Sequence, residues 1–185
     1  MKIREASLRP VIIYGFILLT LDQVSKALVI RMIPPGDYVP VLGRFFSFSH
    51  IRNKGAAWGF LAEHACGSAF FTLVALIAAF FLIWGILRLR HRPAQFFLTM
   101  ILAGNLGNLI DRLFRGSVVD FLSFRFGSYE FPSFNVADSC IVLGTVFLFI
   151  LLLRQSEILD QLFPASPSKS GEKLSREQKQ EKEKC

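Results

Sequence analysis

Residues 67–87 read GSAFFTLVALIAAFFLIWGIL, a run of 21 residues without a charged side chain. An α-helix of this length crosses the hydrocarbon core of a bilayer, which is about 30 Å thick. Three further apolar segments lie at about residues 11–30, 94–110 and 136–153. The sequence therefore predicts an integral membrane protein with four transmembrane helices.

The composition of the whole chain excludes several other classes of protein. Of the 185 residues, 52% are hydrophobic and only 19% are charged, whereas soluble domains carry about 25% charged residues. The net charge of +7 does not indicate a nucleic-acid partner, because the basic residues flank the apolar segments and form no stripe with interleaved aromatic residues. The three cysteines have no CxxC spacing, so neither a disulfide framework nor a zinc site is predicted.

Lysine and arginine predict how the helices are oriented. They are concentrated before the first apolar segment, in residues 88–92 and after residue 153, and basic loops remain in the cytoplasm. Both termini are therefore expected there, which places residues 34–66 and 111–135 outside. The Phe-rich runs of these two segments indicate a small β element and a loop lying on the membrane surface.

These features predict an all-α membrane protein, with four transmembrane helices and a small β element and loop on the extracytoplasmic face. Residues 1–163 are expected to form the transmembrane domain. Residues 164–185 are rich in Ser, Lys and Glu and have almost no apolar side chains. A disordered, charged cytoplasmic tail is therefore predicted for them.

Two ionisable residues lie inside the first apolar segment. Asp22 and Lys26 are four residues apart, which puts them on one helix face as an ion pair. An ionisable group at membrane depth costs roughly 2.5–3.5 kcal/mol, so the pair needs a role. A structural pair near the outer end of the helix and a proton or ion pathway are both open, and the second would make the chain a small transporter or channel.

The densest group of polar residues joins the third and fourth apolar segments. Asn108, Asp111 and Arg112 share one helical face by their spacing. Asp120 follows the third segment and Asp138 begins the fourth, so the predicted topology brings two carboxylates together at the outer membrane surface. An aspartic peptidase uses one ionised carboxylate to activate water and one protonated carboxyl group to protonate the scissile carbonyl.

The surroundings of the two carboxylates predict different roles. If Asn135 caps the fourth helix, Asp138 lies in its first turn, where the helix dipole favours the charged form. Asp120 has apolar neighbours, which favour the protonated form. Three simpler interpretations stay open: Asn135 and Asp138 form only a helix cap, Asp111 and Arg112 form a surface ion pair, or the protein is an assembly scaffold.

Other hydrolytic chemistries have no support in the sequence. HExxH, GxSxG, D-[ST]-G and GxGD motifs are absent, and the three histidines are scattered. Ser25 and Lys26 are adjacent on a helix and point about 100° apart, a poor geometry for a Ser–Lys dyad. No metal site is predicted.

Four blocks of the sequence, taken in order, resemble the bacterial lipoprotein signal peptidases, also called signal peptidase II. The resemblance covers roughly residues 10–155. The blocks are LDQVSK at residues 21–26, RNKGAAWG at 52–59, GNLGNLIDR at 104–112 with VVDF at 118–121, and FNVAD at 134–138.

This resemblance implies a membrane aspartic endopeptidase whose catalytic residues are Asp120 and Asp138. Such an enzyme removes the signal peptide from diacylglyceryl-modified prolipoproteins, cutting before the lipidated cysteine near the outer leaflet of the bacterial inner membrane. The resemblance implies no metal ion or cofactor. The expected partners are these substrates and membrane lipids, and the enzyme is expected to be a monomer.

The resemblance also implies roles for the polar residues around the aspartates. The positions that line the site and contact the substrate main chain are Asn53, Asn108, Arg112 and Asn135. The positions that support the fold and the site are Asp22, Lys26 and Asp111. Trp58 suits the membrane interface, where we expect it to form part of an apolar lid over the substrate.

Overall fold

The computed structural model describes residues 8–55, 67–155 and 158. Its helices are α1 (Arg9–Met32), α2 (Gly67–Arg88), α3 (Arg92–Arg115) and α4 (Val136–Arg154). Each is long and apolar enough to cross a membrane, so the prediction of four transmembrane helices is confirmed. Trp58 and the tail of residues 164–185 lie outside the described residues, and what the sequence predicts for them stays a prediction.

Helix α3 lies at the centre of the bundle and packs against α1, α2 and α4. It is the least apolar of the four spans and the most buried within the protein. A Cβ atom at Gly104 would meet the backbone oxygen of Ala137 at the start of α4. A Cβ atom at Gly107 would meet the carboxylate of Asp22 on α1. The two glycines therefore let α1 and α4 approach the backbone of α3 closely.

Helix α3 is longer than the apolar segment of residues 94–110. It continues through Asp111 and Arg112 and ends at Arg115, where Gly116 has a φ of +71°. This left-handed conformation is typical of a glycine that ends a helix. The helix continues beyond the apolar segment because the charged side chain of Asp111 finds a partner on α1 and does not require water.

The two outer segments form one antiparallel sheet of four strands. Strands β1 (Tyr38–Leu42), β2 (Phe46–Asn53), β3 (Val118–Phe126) and β4 (Tyr129–Phe134) are neighbours in that order. The small β element is confirmed, and each of the two outer segments supplies two of its strands. Aromatic side chains stack across the strands, as Phe46 does on Phe124, and such cross-strand contacts stabilise the sheet.

Short connections attach the sheet to one end of the helix bundle. β1 follows α1, β3 follows α3, and β4 leads through Asn135 directly into α4. A hydrophobic cluster of Val29, Ile33, Val119 and Phe121 joins the end of α1 to β3. Because Asp120 lies between Val119 and Phe121 in the chain, this cluster fixes the backbone on both sides of it.

Candidate active site

Both carboxylate oxygens of Asp120 accept hydrogen bonds from side-chain amides. Asn53 Nδ2 donates to Oδ2 at 3.0 Å, and Asn135 Nδ2 donates to Oδ1 at 2.7 Å. Asn53 reaches this carboxylate because β2 pairs with β3 so that Asn53 lies opposite Val118, two residues away along β3. Asp120 is buried, so the two amides replace part of the hydration that it loses.

Asp138 lies in the first turn of α4, where Asn135 is the N-cap. Asn135 Oδ1 accepts from the backbone N–H of Asp138 at 2.9 Å, and Asp138 Oδ2 accepts from the backbone N–H of Asn135 at 3.1 Å. This reciprocal capping box confirms that Asn135 caps the fourth helix. The other oxygen, Asp138 Oδ1, accepts from Asn108 Nδ2 at 2.7 Å.

Asn135 therefore links the two carboxylates. Its side-chain amide donates to Asp120 and its backbone N–H donates to Asp138. The structure thus brings together the two carboxylates that the sequence analysis paired, one from the sheet and one from a helix.

Each asparagine that contacts a carboxylate has its side-chain orientation set by a donor on its own oxygen. The pairs of asparagine oxygen and donor are Asn53 with the N–H of Gly55, Asn108 with the ammonium of Lys26, and Asn135 with the N–H of Asp138. An amide whose oxygen faces a donor presents its NH₂ group to the other side. All three amides therefore donate to the carboxylates.

The pKa of Asp120 is raised from 3.8 to about 7. Burial has the largest effect, because the charged form loses its hydration, and the negative charge of Asp138 adds to it. The hydrogen bonds from Asn53 and Asn135 and the positive charge of Lys26 lower the pKa without cancelling this rise. Asp120 therefore holds a proton up to about neutral pH, as its apolar surroundings in the sequence suggest.

Three buried charged residues lie beside the carboxylate pair. Lys26 Nζ is 2.9 Å from Asp22 Oδ2 and 3.0 Å from Asp111 Oδ2, and all three residues are buried. Arg115 also pairs with Asp111. Since Lys26 and Arg115 are the ionic partners of Asp111, its interpretation as one half of a surface ion pair with Arg112 is wrong.

The two carboxylates of this charged cluster hold the backbone of the site. Asp22 Oδ1 accepts from the backbone N–H of Ala137 at 2.9 Å. Asp111 Oδ2 accepts from the backbone N–H of Val119 at 3.1 Å. Each of these N–H groups belongs to the residue just before one of the paired aspartates. The ion pair predicted within α1 is therefore joined to the site by hydrogen bonds.

A cavity of about 600 Å³ opens over the two aspartates. Its polar lining includes Asn53, Asn108 and Arg112, three of the residues that the resemblance assigned to the site. The guanidinium carbon of Arg112 lies 5.7 Å from the ring centroid of Phe71 on α2, a cation–π contact that holds the side chain.

The remaining walls of this cavity are mostly apolar. Residues 131–134 of β4 form one wall. Val142 and Leu143 of α4 form another, and both also lie exposed on the outside of the bundle. In a bilayer that outer surface contacts lipid, so the cavity is open toward the membrane as well as toward the sheet.

The sequence analysis missed several groups that lie around the site. Gln23 Nε2 donates to the backbone oxygen of Gly107 at 3.1 Å, and Gln23 Oε1 accepts from Arg115 at 3.0 Å. Pro132 and Ser133, which line the cavity, were not singled out either. Two features of the sequence could have identified Gln23 and Arg115. Gln23 adjoins the ionisable pair of α1, and Arg115 lies one helical turn after Asp111.

The groups that surround the two aspartates are donors of hydrogen bonds. The groups that contact the two carboxylates are amide NH₂ groups and one backbone N–H group, none of which has a lone pair for a metal ion. Within the part of the chain that the structure describes, no three His, Cys, Asp or Glu side chains are grouped so that they would hold a metal ion.

Fold and site together define a multi-pass membrane protein with one buried and one partly buried carboxylate at one end of its helices. The family model described as Signal peptidase (SPase) II matches residues 14–154. The lipoprotein signal peptidase of Desulforapulum autotrophicum is 43% identical over 144 residues, which cover 75% of this chain and 89% of that protein. That of Bacillus pumilus is 39% identical over 147 residues, covering 76% and 90%. A solved bacterial membrane enzyme has a TM-score of 0.72 at 30% identity and covers 80% of this chain and 90% of its own.

The chain belongs to the signal peptidase II family. It is a peptidase and a multi-pass bacterial membrane protein, and the resemblance seen in the four sequence blocks is confirmed. The matched residues 14–154 include both aspartates, the three asparagines and the buried charged cluster.

Proposed function

We propose that the protein is an aspartic endopeptidase that removes the signal peptide from diacylglyceryl-modified prolipoproteins, cutting before the lipidated cysteine. The observation that carries this proposal is that one residue, Asn135, hydrogen-bonds both Asp120 and Asp138 at the base of one cavity. The names of the relatives, lipoprotein signal peptidases, support the class of substrate.

The two aspartates act on a water molecule between them. Asp138, whose oxygens accept from Asn108 and from the backbone N–H of Asn135, is the base and takes a proton from this water. The water oxygen attacks the carbonyl carbon of the scissile peptide, and Asp120 gives its proton to the carbonyl oxygen. When the carbon–nitrogen bond of the resulting gem-diol breaks, the amine nitrogen takes the proton that Asp138 received from the water, and a hydroxyl group of the gem-diol returns a proton to Asp120.

The unequal surroundings of the aspartates support this division of roles. The raised pKa of Asp120, about 7, keeps an acid available near neutral pH. Asp138 lies at a helix N-terminus, where backbone N–H groups and the helix dipole favour the charged form. Two carboxyl groups with different preferred charges are the arrangement that acid–base catalysis requires.

The cavity suits a lipid-anchored peptide. Its apolar walls accept acyl chains and apolar side chains, and its opening beside Val142 and Leu143 lets a substrate enter from the bilayer. Arg112 and the amides of Asn53 and Asn108 lie where they contact the substrate main chain. Trp58, in the segment just after β2, completes the site as an apolar lid.

The site lies near the outer leaflet of the bacterial inner membrane, with both termini cytoplasmic. Four consecutive spans put Arg9 and Arg154 at the end of the bundle opposite the sheet, together with the arginine-rich turn of residues 88–92. Basic segments stay in the cytoplasm, so the sheet and the site face outward. The enzyme acts as a monomer, with residues 1–163 as its catalytic domain and residues 164–185 as a disordered tail.

A cleavage assay in detergent tests the proposal. A diacylglyceryl-modified prolipoprotein and its unlipidated precursor are incubated with the wild type, Asp120→Asn and Asp138→Asn, with EDTA present throughout. Asp37→Asn is the matched control, because Asp37 is exposed and precedes the outer strand β1.

We expect the wild type and Asp37→Asn to cleave only the lipidated form. Asp120→Asn and Asp138→Asn should lose activity by a factor of at least about 10² while their melting temperatures show that they are folded. Cleavage that persists in either variant would refute the aspartate dyad. Equal cleavage of the unlipidated precursor would refute the class of substrate.

A further inference from the structure

We propose that Lys26 is a positioning residue that sets the placement of both catalytic aspartates and the direction of the Asn108 amide. This inference rests on the proposed function, because it assigns the way in which the aspartate pair is held ready for catalysis. Lys26 lies in α1 and belongs to neither of the segments that carry the aspartates.

The ammonium group of Lys26 contacts three acceptors within the protein. Its Nζ is 2.9 Å from Asp22 Oδ2, 3.0 Å from Asp111 Oδ2 and 3.0 Å from Asn108 Oδ1. An ammonium group has three protons, one for each of these acceptors. Lys26 has no exposed surface, so water does not compete for these bonds.

Two of these acceptors extend to the backbone beside the aspartates. Asp22 also accepts from the N–H of Ala137, which precedes Asp138. Asp111 also accepts from the N–H of Val119, the residue before Asp120 in β3. One ammonium group therefore ties α1 and α3 to both of the elements that carry the catalytic carboxylates.

The third acceptor sets the direction of an amide. Because Asn108 Oδ1 faces Lys26, Asn108 Nδ2 donates to Asp138 at 2.7 Å. Asn135 Nδ2 donates to the same oxygen of Asn108 at 3.2 Å, so loss of Lys26 would leave only this longer bond to hold the amide. A rotated Asn108 would present its oxygen to the Asp138 carboxylate and repel it.

The positive charge of Lys26 also acts directly on the two catalytic aspartates. Four carboxylates interact with this charge. They are Asp22 on α1, Asp111 on α3, Asp138 on α4 and Asp120 on β3. Its positive charge lowers the pKa of Asp120. Removing this charge raises that pKa, so the alkaline limit of activity should move to higher pH.

Lys26→Met and Arg115→Met form a matched pair for the test. Both Lys26 and Arg115 pair with Asp111, so each variant removes one positive charge from the same carboxylate. Arg115 donates to Gln23, whereas Lys26 donates to Asn108. The rates of cleavage of a lipidated prolipoprotein are measured from pH 5 to pH 9 together with the melting temperatures.

We expect Lys26→Met to lower kcat by about 10²-fold, to leave KM unchanged because the cavity walls are intact, and to move the alkaline limb to higher pH. Arg115→Met should lower the melting temperature, keep most of the wild-type kcat and leave the alkaline limb in place. Equal losses of kcat in the two variants, or a wild-type pH profile in Lys26→Met, would show that Lys26 serves folding alone and would overturn the proposal.

A second pair of variants decides the question if Lys26→Met does not fold. Lys26→Met combined with Asp22→Asn removes one charge of each sign and keeps an oxygen that accepts from Ala137. Compared with Asp22→Asn alone, the double variant should again lose about 10² in kcat, and equal rates would overturn the proposal. Failure of the proposed function looks different, since the wild type would then not cleave, or Asp120→Asn and Asp138→Asn would remain active.

Discussion

The raised pKa of Asp120 predicts a pH dependence of stability that the variant Asp120→Asn should lack. Above about pH 4 the carboxyl group is ionised in the unfolded chain, whereas in the folded protein it keeps its proton up to about pH 7. In this range the folded state binds one more proton than the unfolded state. The free energy of unfolding therefore falls as pH rises.

The size of the effect follows from the two pKa values. The pKa rises from 3.8 to about 7, and each unit corresponds to about 1.4 kcal/mol. The ionisation of Asp120 should therefore make the free energy of unfolding of the wild type about 4 kcal/mol lower at pH 8 than at pH 4. The full stabilisation is present below pH 4 and is lost as pH rises through 7.

Unfolding of the wild type and Asp120→Asn in the same detergent, followed from pH 4 to pH 8, measures this contribution. The side chain introduced by the substitution turns an NH₂ group toward a neighbouring amide donor, which costs about 1–3 kcal/mol, but this cost does not vary with pH and cancels from the slope. The stability of the variant relative to the wild type should rise by about 4 kcal/mol across the range. A difference that stays constant with pH would refute the conclusion that the fold holds Asp120 protonated.

Three further variants test separate parts of the site. Asn53→Ala removes a donor that lowers the pKa of Asp120, so in pH–rate profiles the alkaline limb should move up by about 1–2 pH units; an unmoved limb would contradict this. Gly107→Ala places a Cβ atom against a buried carboxylate, so thermal unfolding should show a loss of about 1–3 kcal/mol of stability. Gly85→Ala is the control and should lose less, because its Cβ atom meets only a flexible leucine side chain. Trp58→Ala should raise KM for the lipidated substrate while kcat is retained, and unchanged kinetics would rule out the lid.

The number of helices and their approximate bounds follow from the sequence. The charge-free run of residues 67–87 crosses a bilayer whatever its neighbours are, because the cost of leaving apolar side chains in water is a local property. The helix cap at Asn135 is equally local, since the cap and Asp138 are three residues apart. The pair Asp22 and Lys26, one helical turn apart, follows from the same kind of spacing.

The pairing of β3 was harder to predict because one of its partners, β2, is distant in the chain. The sequence indicates a small β element and a loop in the two outer segments, but a run rich in Phe, Ser and Gly does not show which strands pair. Pairing with β2 stabilises β3, and such contacts depend on where the rest of the chain folds.

The sequence alone determined a four-span membrane protein with two aspartates near one end, because hydropathy, helical spacing and caps act over a few residues. Only the tertiary structure decided how these aspartates are held. Asp111 turned away from its neighbour Arg112 toward Lys26, and the amides of Asn53 and Asn135 converged on Asp120 from different elements. The reason is that burial removes water from these polar groups, so each must find a partner inside the protein, and only the packed fold decides which partner is within reach.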